Sequence, residues 1–413
     1  MSQISFKYGH SSISFDYTEA NFDVLSSREI PRPLSDPEIG ERLEDPIGSK
    51  SLDELINVDE TVLIVVPDAT RQTACGQIVN LVVRRLISNG TTPDKISVIF
   101  ATGIHRKVTE TEKNEILTPF VAQRIKTIDH DAKDLAALVN LGETSGGIPI
   151  FLNRALVEND HVILIGGISF HYFAGFTGGR KLVCPGLAGS RTIKETHRIA
   201  FDCESRSRRD GVGTGLLSGN AVHEVFVEAV SVIKPTFAIN AIVDGNGIAT
   251  EIFAGDWQSS HLAACEAFAA ANTVQILEKR DLVIVSCGGS PHDINMIQAH
   301  KALEAATNAC APGGEIVLIA ECRDGLGKDD FLKWFEFENS KELAAALCEK
   351  YVVNGQTAWN LMQRTEQFRV SMITELSTEM VAKMGMRKIA DLNDYSARCG
   401  YLIPFGAKIM VSI

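Results

Sequence analysis

The chain has 413 residues, and 52 Asp and Glu against 40 Lys and Arg leave a formal charge of −12. With 45% hydrophobic and 22% charged residues it has the composition of an ordinary globular protein, too long for one typical core, so two domains are expected. The acidic balance argues against a broad nucleic-acid surface, the longest apolar runs (62–66 and 162–165) are too short for a bilayer, and residues 1–30 lack an apolar leader core. A cytoplasmic location is expected.

Taken in chain order, short apolar runs alternate with helical patterns. Residues 61–67 (TVLIVVP), 96–102, 161–167, 282–288 and 315–321 read as strands covered on both faces, because they are near-continuous Val, Ile and Leu rather than alternating. Between the first two, apolar residues at 78, 79, 82, 83 and 86 mark the crossover helix that a parallel pair requires. A second such unit follows: strand 282–288, helix 295–310, a Pro-Gly-Gly turn at 312–314, and strand 315–321. The seam falls at 273–280, after an Ala-rich helix at 262–271. The predicted fold is α/β, with two largely parallel domains and the chemistry-bearing residues gathered at one side of a sheet or in an interdomain cleft. Residues 1–275 form the first domain and 276–396 the second, with 397–413, including the strand-like end 408–413, returning to the first. Nine cysteines without a CxxC spacing exclude zinc ribbons and dense disulfide scaffolds, and most read as small buried hydrophobes.

Ligands in open α/β sheets bind beyond the carboxyl ends of strands, and those ends carry the chemistry here. Asp68, Thr70 and Arg71 follow 61–67; His105 follows 96–102; His171, Arg180 and Lys181 follow 161–167; Gln298 and Lys301 lie beyond 282–288. Each has a plainer reading. Asp68 and Thr70 suit a helix cap, His105 a turn, His171 a packed core position between Phe170 and Tyr172, Lys181 the surface, and His197 an exposed helix. His292 and His300, among others, read as structural or surface residues. Together, at one side of a sheet, the plain readings are harder to sustain. No P-loop, HExxH, GxSxG or strand-linked GxGxxG is present.

The string 166–189 (GGISFHYFAGFTGGRKLVCPGLAG), with His197 in IKETH, resembles the nickel-dependent lactate racemase family. DATR at 68–71, TGIH at 102–105 and DINMIQAHK at 293–301 match that family's other motifs in order. The resemblance implies a racemase or epimerase that inverts a 2-hydroxy acid by reversible hydride transfer through a 2-keto acid. It implies nickel in a pyridinium-3,5-bisthiocarboxylic acid mononucleotide, the nickel-pincer nucleotide, linked covalently through Lys181. His197 would be the protein's nickel ligand, as suits a soft-sulfur and imidazole set. Asp68, Ala69, Thr70, Arg71 and Pro185 would border the cofactor. His105 and His171 would be the acid–base pair, a role that a near-neutral imidazole fits. Arg71 and Lys301 would hold the carboxylate, with Gln298 as a further hydrogen-bonding partner. The partners implied are the substrate and the proteins that make the cofactor and insert nickel. Ile297 stands where a lactate-specific pocket would have tyrosine, and only Gln356 or Trp359 could replace its tryptophan. Acids longer than lactate therefore rank first, lactate second and dicarboxylates third. Two other readings stay open: an NAD-dependent 2-hydroxy acid dehydrogenase, against which the missing glycine fingerprint counts, and a non-catalytic cofactor carrier, against which the two histidines count.

Overall fold

The structure, a computed structural model, describes residues 2–27, 32–71 and 73–413. Two six-stranded sheets organise it. The first runs in the order Ala249–Gly255, Phe237–Val243, His161–Gly167, Val62–Pro67, Ile96–Ala101, Lys126–Asp129. All its neighbours are parallel except the pair 237–243 and 249–255. Strand Val62–Pro67 is buried along its whole length. Its side chains alternate between two cores, with Val62, Ile64 and Val66 on one face and Leu63 and Val65 on the other. Each such side chain contributes about 1.5–3 kcal/mol by leaving water. The crossover helix Cys75–Ser88 buries the 78, 79, 82, 83 and 86 stripe read from the sequence.

The second sheet is wholly parallel: Arg387–Lys388, Arg369–Ile373, Cys310–Ile319, Arg280–Ser286, Gly400–Ile403, Phe22–Val24. Both sheets reverse direction of growth once. In the first, the chain builds outward from 62–67 through 96–101 and then places 161–167 on the other side. In the second, it builds outward from 280–286 and then places 400–403 on the other side. Adjacent strand ends splay their connections apart at such a point, which leaves a crevice. Both crevices open toward the junction of the two halves.

Strand pairing differs from the expected domain division in two places. Residues 2–24 belong with the second sheet, not the first. The hairpin Ser2–Tyr8/Ser11–Tyr17 packs Phe6, Phe15 and Tyr17 on Leu282, Ile284, Val317 and Leu402, covering a sheet face that would otherwise meet water. The chain end also stays with the second half. Met410–Ser412 pairs with Thr273–Gln275, and Ile409 and Val411 enter the second core. Lys408 reaches back to the first half, donating from Nζ to the Val243 carbonyl at 3.1 Å. Apolar faces needing cover explain both placements; sequence order does not. The helix expected at 295–310 is likewise two pieces, Met296–Ala299 and Ala302–Ala309. The expected Pro-Gly-Gly turn is absorbed into strand Cys310–Ile319 as a shift of register.

Candidate active site

A cleft of about 850 Å3 lies between the halves. Asp68, Ala69, Thr70, Arg71, His105, His171, Lys181, Pro185, His197, Gln298 and Lys301 all line it. None of these sequence-predicted positions is elsewhere.

Asp68 ends the central strand and is 7% exposed, while His105, leaving the next strand, is 38% exposed. Their side chains meet at 2.6 Å between His105 Nδ1 and Asp68 Oδ2. The carboxylate fixes the proton on Nδ1, so Nε2 carries the lone pair and can accept a proton. Thr70 donates to the other oxygen from its hydroxyl at 2.6 Å and its backbone N–H at 3.1 Å. Burial by itself would raise the carboxyl, but the His105 contact and the charge of Arg71 outweigh it and hold Asp68 down at about 2. Asp68 and Thr70 therefore do not cap the following helix. Ala74 stands at the cap, at φ 51°, with no side-chain capping bond.

Lys181 sits on the turn Gly179–Leu182, and Gly178 and Gly179 set its direction at φ 72° and 48°. A Cβ at Gly178 would meet Ile168 at 2.6 Å and one at Gly179 would meet His261 at 2.5 Å, so the close fit and the backbone both need glycine. Arg180, 1% exposed, anchors the turn from beneath. It donates to the carbonyls of Ala174 at 2.7 Å and Thr177 at 3.3 Å and to His261 Nε2 at 2.8 Å. No hydrogen-bond acceptor reaches Lys181 Nζ among the described residues. It faces the rings of Phe226 at 5.0 Å and Phe173 at 5.4 Å. Burial, then the charges of Arg180, Arg71 and Lys301, push its ammonium well below the usual lysine range. Its amine is thereby biased toward the neutral, nucleophilic form, and it faces a large cavity.

His197, on helix Ser190–Arg198, donates from Nδ1 to the Ile193 carbonyl one turn back at 2.8 Å. That bond leaves the Nε2 lone pair free, and burial followed by the charge of Lys181 keeps the ring neutral down to about 3. His171 is held the other way round. Its Nδ1 is approached by the backbone N–H groups of Ala174 at 3.3 Å and Phe173 at 3.5 Å, which favours the tautomer with the proton on Nε2. Burial, then Lys181, Lys301 and Arg71, push its pKa well below that of a free imidazole.

On the opposite wall, Asn295 caps Met296–Ala299 by accepting from the Gln298 N–H at 3.0 Å. The helix then breaks at His300–Lys301, and Lys301 Nζ donates to Gln298 Oε1 at 2.5 Å. Burial and the Arg71 charge lower the Lys301 ammonium well below its usual range. Arg71, Lys181 and Lys301 thus converge in an otherwise acidic chain, an arrangement that attracts an anion. Ile294, Ile297, Leu326, Leu332, Val353 and Met380 add an apolar wall. Neither Gln356 nor Trp359 lines the cleft. Tyr351 hydrogen-bonds Gln356, and Trp359 packs edge-on to Phe201 at 4.9 Å inside the second core. Helix Val353–Gln367 turns Val353, Asn354 and Thr357 to the cleft instead.

Sequence reasoning missed His300 and Tyr172. His300, read as structural or surface, lines the cleft with its ring 5.2 Å from that of Tyr172 across the junction. It also missed Glu304, one turn beyond Lys301. Glu304 is partly buried and takes Arg208 of the first half at 2.6 Å and Arg364 of the second at 2.8 Å. The neighbouring position of Glu304 to the Gln298–Lys301 motif was the only available signal.

A doubly wound pair of sheets with histidines, lysines and Arg71 gathered in the cleft between them defines an α/β protein with a chemically equipped cleft. Comparison with known proteins makes this specific. Residues 8–209 match the lactate racemase N-terminal domain and residues 276–411 the lactate racemase C-terminal domain. The chain is 32% identical over 336 residues to the lactate racemase of Lactiplantibacillus plantarum, covering 80% of this chain and 77% of that protein. It is 30% identical over 340 residues to the lactate racemase of Thermoanaerobacterium thermosaccharolyticum, covering 81% and 78%. The solved apoprotein from the latter organism superposes over the full length of both chains with a TM-score of 0.89 at 26% identity. A Thermotoga maritima structure shares the fold, with a TM-score of 0.74 at 19% identity over 93% of this chain and 100% of that one. The chain belongs to the lactate racemase family. It is an isomerase of the racemase type, and among the described residues no helix is long and apolar enough to cross a membrane.

Proposed function

We propose that this chain inverts the α-carbon of a 2-hydroxy acid, lactate or a longer aliphatic relative, using a nickel-pincer nucleotide held on Lys181. The observation that carries the reading is the pairing, in one cleft, of the Lys181 amine, which meets no hydrogen-bond acceptor among the described residues, with the His197 imidazole, whose Nδ1 is engaged and whose Nε2 points free. Among the described residues no three His, Cys, Asp or Glu side chains converge on a metal site. A metal held by His197 would therefore take its other ligands from a bound group, and the cleft has room for a nucleotide. When bound, that group supplies a reversible hydride acceptor at the substrate α-carbon.

The remaining work falls to side chains. Arg71 and Lys301 take the carboxylate, the arginine with two-pronged geometry, and Gln298 hydrogen-bonds the substrate. His105 Nε2 takes the hydroxyl proton, and Asp68 stabilises the imidazolium that forms. His171 faces the substrate oxygen from the buried wall. A carboxylate between Arg71 and Lys301 offsets two of the charges that disfavour a protonated His171, and the ring's Nε2–H is the group that donates to the substrate oxygen. With the α-hydrogen removed as hydride and the hydroxyl proton on a histidine, the planar 2-keto acid is returned from either face.

Ile297 and its apolar neighbours favour a side chain longer than methyl, since each methylene buried there is worth about 0.8 kcal/mol. Protein co-produced with cofactor-making enzymes, given single-enantiomer 2-hydroxy acids and followed by chiral chromatography, tests both parts. Net accumulation of 2-keto acid with a nicotinamide co-substrate would replace this reading by a dehydrogenase. Lactate as the best substrate by a wide margin would remove the role given to Ile297.

A further inference from the structure

The hairpin Phe201–Asp202/Ser207–Arg208 leaves the helix that carries His197 and reaches across to the second half. Its Phe201 belongs to the second core, and Arg208 bonds Glu304 at 2.6 Å and Asn360 at 3.1 Å. At its tip is Cys203, exposed and 145 residues distant in sequence from Cys348, which lies on helix Ser340–Glu349 of the second half. The two meet. Cys348 Sγ lies 4.0 Å from the Cys203 carbonyl oxygen, and the Cys203 side chain is near enough to raise the Cys348 thiol. Both are free, and Cys203 is open to a small reagent while Cys348 is partly covered. The other cysteines are buried, apart from an exposed Cys399.

We propose that Cys203 and Cys348 form a redox-controlled staple, closing to a disulfide that pins the hairpin to the second half and fixes the cleft between them.

The oxidant is a small-molecule disulfide. Exposed Cys203 attacks it first as the thiolate, forming a mixed disulfide and releasing one small thiol. Cys348 then attacks the Cys203 sulfur, releasing the second small thiol. Two S–H bonds are lost and one S–S bond is gained, and the two electrons end on the two released thiols. Burial, then the Cys203 thiol beside it, push the Cys348 thiol up to about 11, while Arg206 and Arg198 pull the other way. Capping Cys203 removes its charge and leaves the two arginines unopposed by it, so the second step follows the first. Intracellular disulfides of this kind are typically transient and redox-sensing.

The full chain is equilibrated in buffers of rising glutathione disulfide to glutathione ratio, alkylated, and digested without reduction. The expected product is a linked peptide pair containing Cys203 and Cys348 within one chain, with intact mass lower by about 2 Da than the reduced form. Cys203→Ser and Cys348→Ser each abolish it, and Cys399→Ser does not. Amide exchange of residues 201–209 is expected to slow by about tenfold or more in the stapled form. Separate glutathione adducts with no linked pair, or linkage only between chains, would overturn the staple. A staple that leaves exchange of the hairpin unchanged would overturn its fixing of the junction.

Discussion

The two histidines proposed as the acid–base pair sit in opposite surroundings. His105 is partly open to solvent, bonded through Nδ1 to a carboxylate, and presents a lone pair at Nε2. His171 is buried, has backbone N–H groups against its Nδ1, and looks out on Lys181, Lys301 and Arg71. On the proposed mechanism inversion would suggest two equivalent groups, yet one ring presents a lone pair at Nε2 and the other favours a proton there. The difference lies in the second contact of each ring. A carboxylate partner fixes which nitrogen carries the proton, whereas burial and nearby cations push the His171 imidazole below its usual range.

The largest effect is expected where both histidines lose their purpose. Lys181→Ala should abolish retention of the cofactor and racemisation together, read by intact mass after loading and by chiral assay; a variant racemising at the parent rate would break the whole comparison. Next, His105→Ala and His171→Ala should each cost on the order of a hundredfold or more in kcat, as general acid–base groups do. Lactate deuterated at the α-carbon should keep its label through inversion, and wash-out into water at the rate of inversion would point to a carbanion route instead. Asp68→Asn tests the asymmetry itself. It leaves His105 in place but removes the charge that orients it, and a loss of about 10- to 100-fold is expected, as for other partners that orient a histidine. An equal loss from His171→Ala and from Asp68→Asn in both reaction directions would argue that the two sides are equivalent after all.

The smallest effect separates the two walls by pH. His300 and His292 are kept neutral down to about 3, first by burial and then by the charges of Lys301 and Arg71. In the unfolded chain both titrate near 6.5. Between those values the unfolded chain binds more protons than the folded one, so stability is full above about pH 6.5 and falls as pH drops. Each histidine contributes at most about 1.4 kcal/mol per pH unit. Asp68, held at about 2, adds its own loss only as pH falls below about 4. Urea unfolding of the apoprotein at pH 7 and pH 5.5 should show the decline. Unchanged midpoints would mean that the buried wall titrates like free histidine.

Much of this site was legible before any fold was known. Near-continuous apolar runs must be buried on both faces, which dictates parallel strands, and parallel strands deliver their connections to one side. Asp68–Arg71, His105, His171, Lys181 and Lys301 could therefore be gathered from sequence order alone. Residue type also carried the chemistry: two glycines before a lysine, a histidine near neutrality, an arginine for a carboxylate. What the sequence could not say was which surfaces needed covering. The hairpin 2–17 crosses to the second sheet because an apolar face there would otherwise be wet, and the chain end stays beside it for the same reason. Helix phase was equally invisible: a residue or two of rotation buries Gln356 and Trp359 and turns Asn354 and Thr357 to the cleft. Tautomer and charge state, too, depend on neighbours from other strands, as the unlike settings of His105 and His171 show. Contacts between distant segments, such as Arg208 with Glu304 and Cys203 with Cys348, have no local signature. Local pattern determines elements and the side on which they deliver their ends, while only close packing of those elements decides which side chains meet.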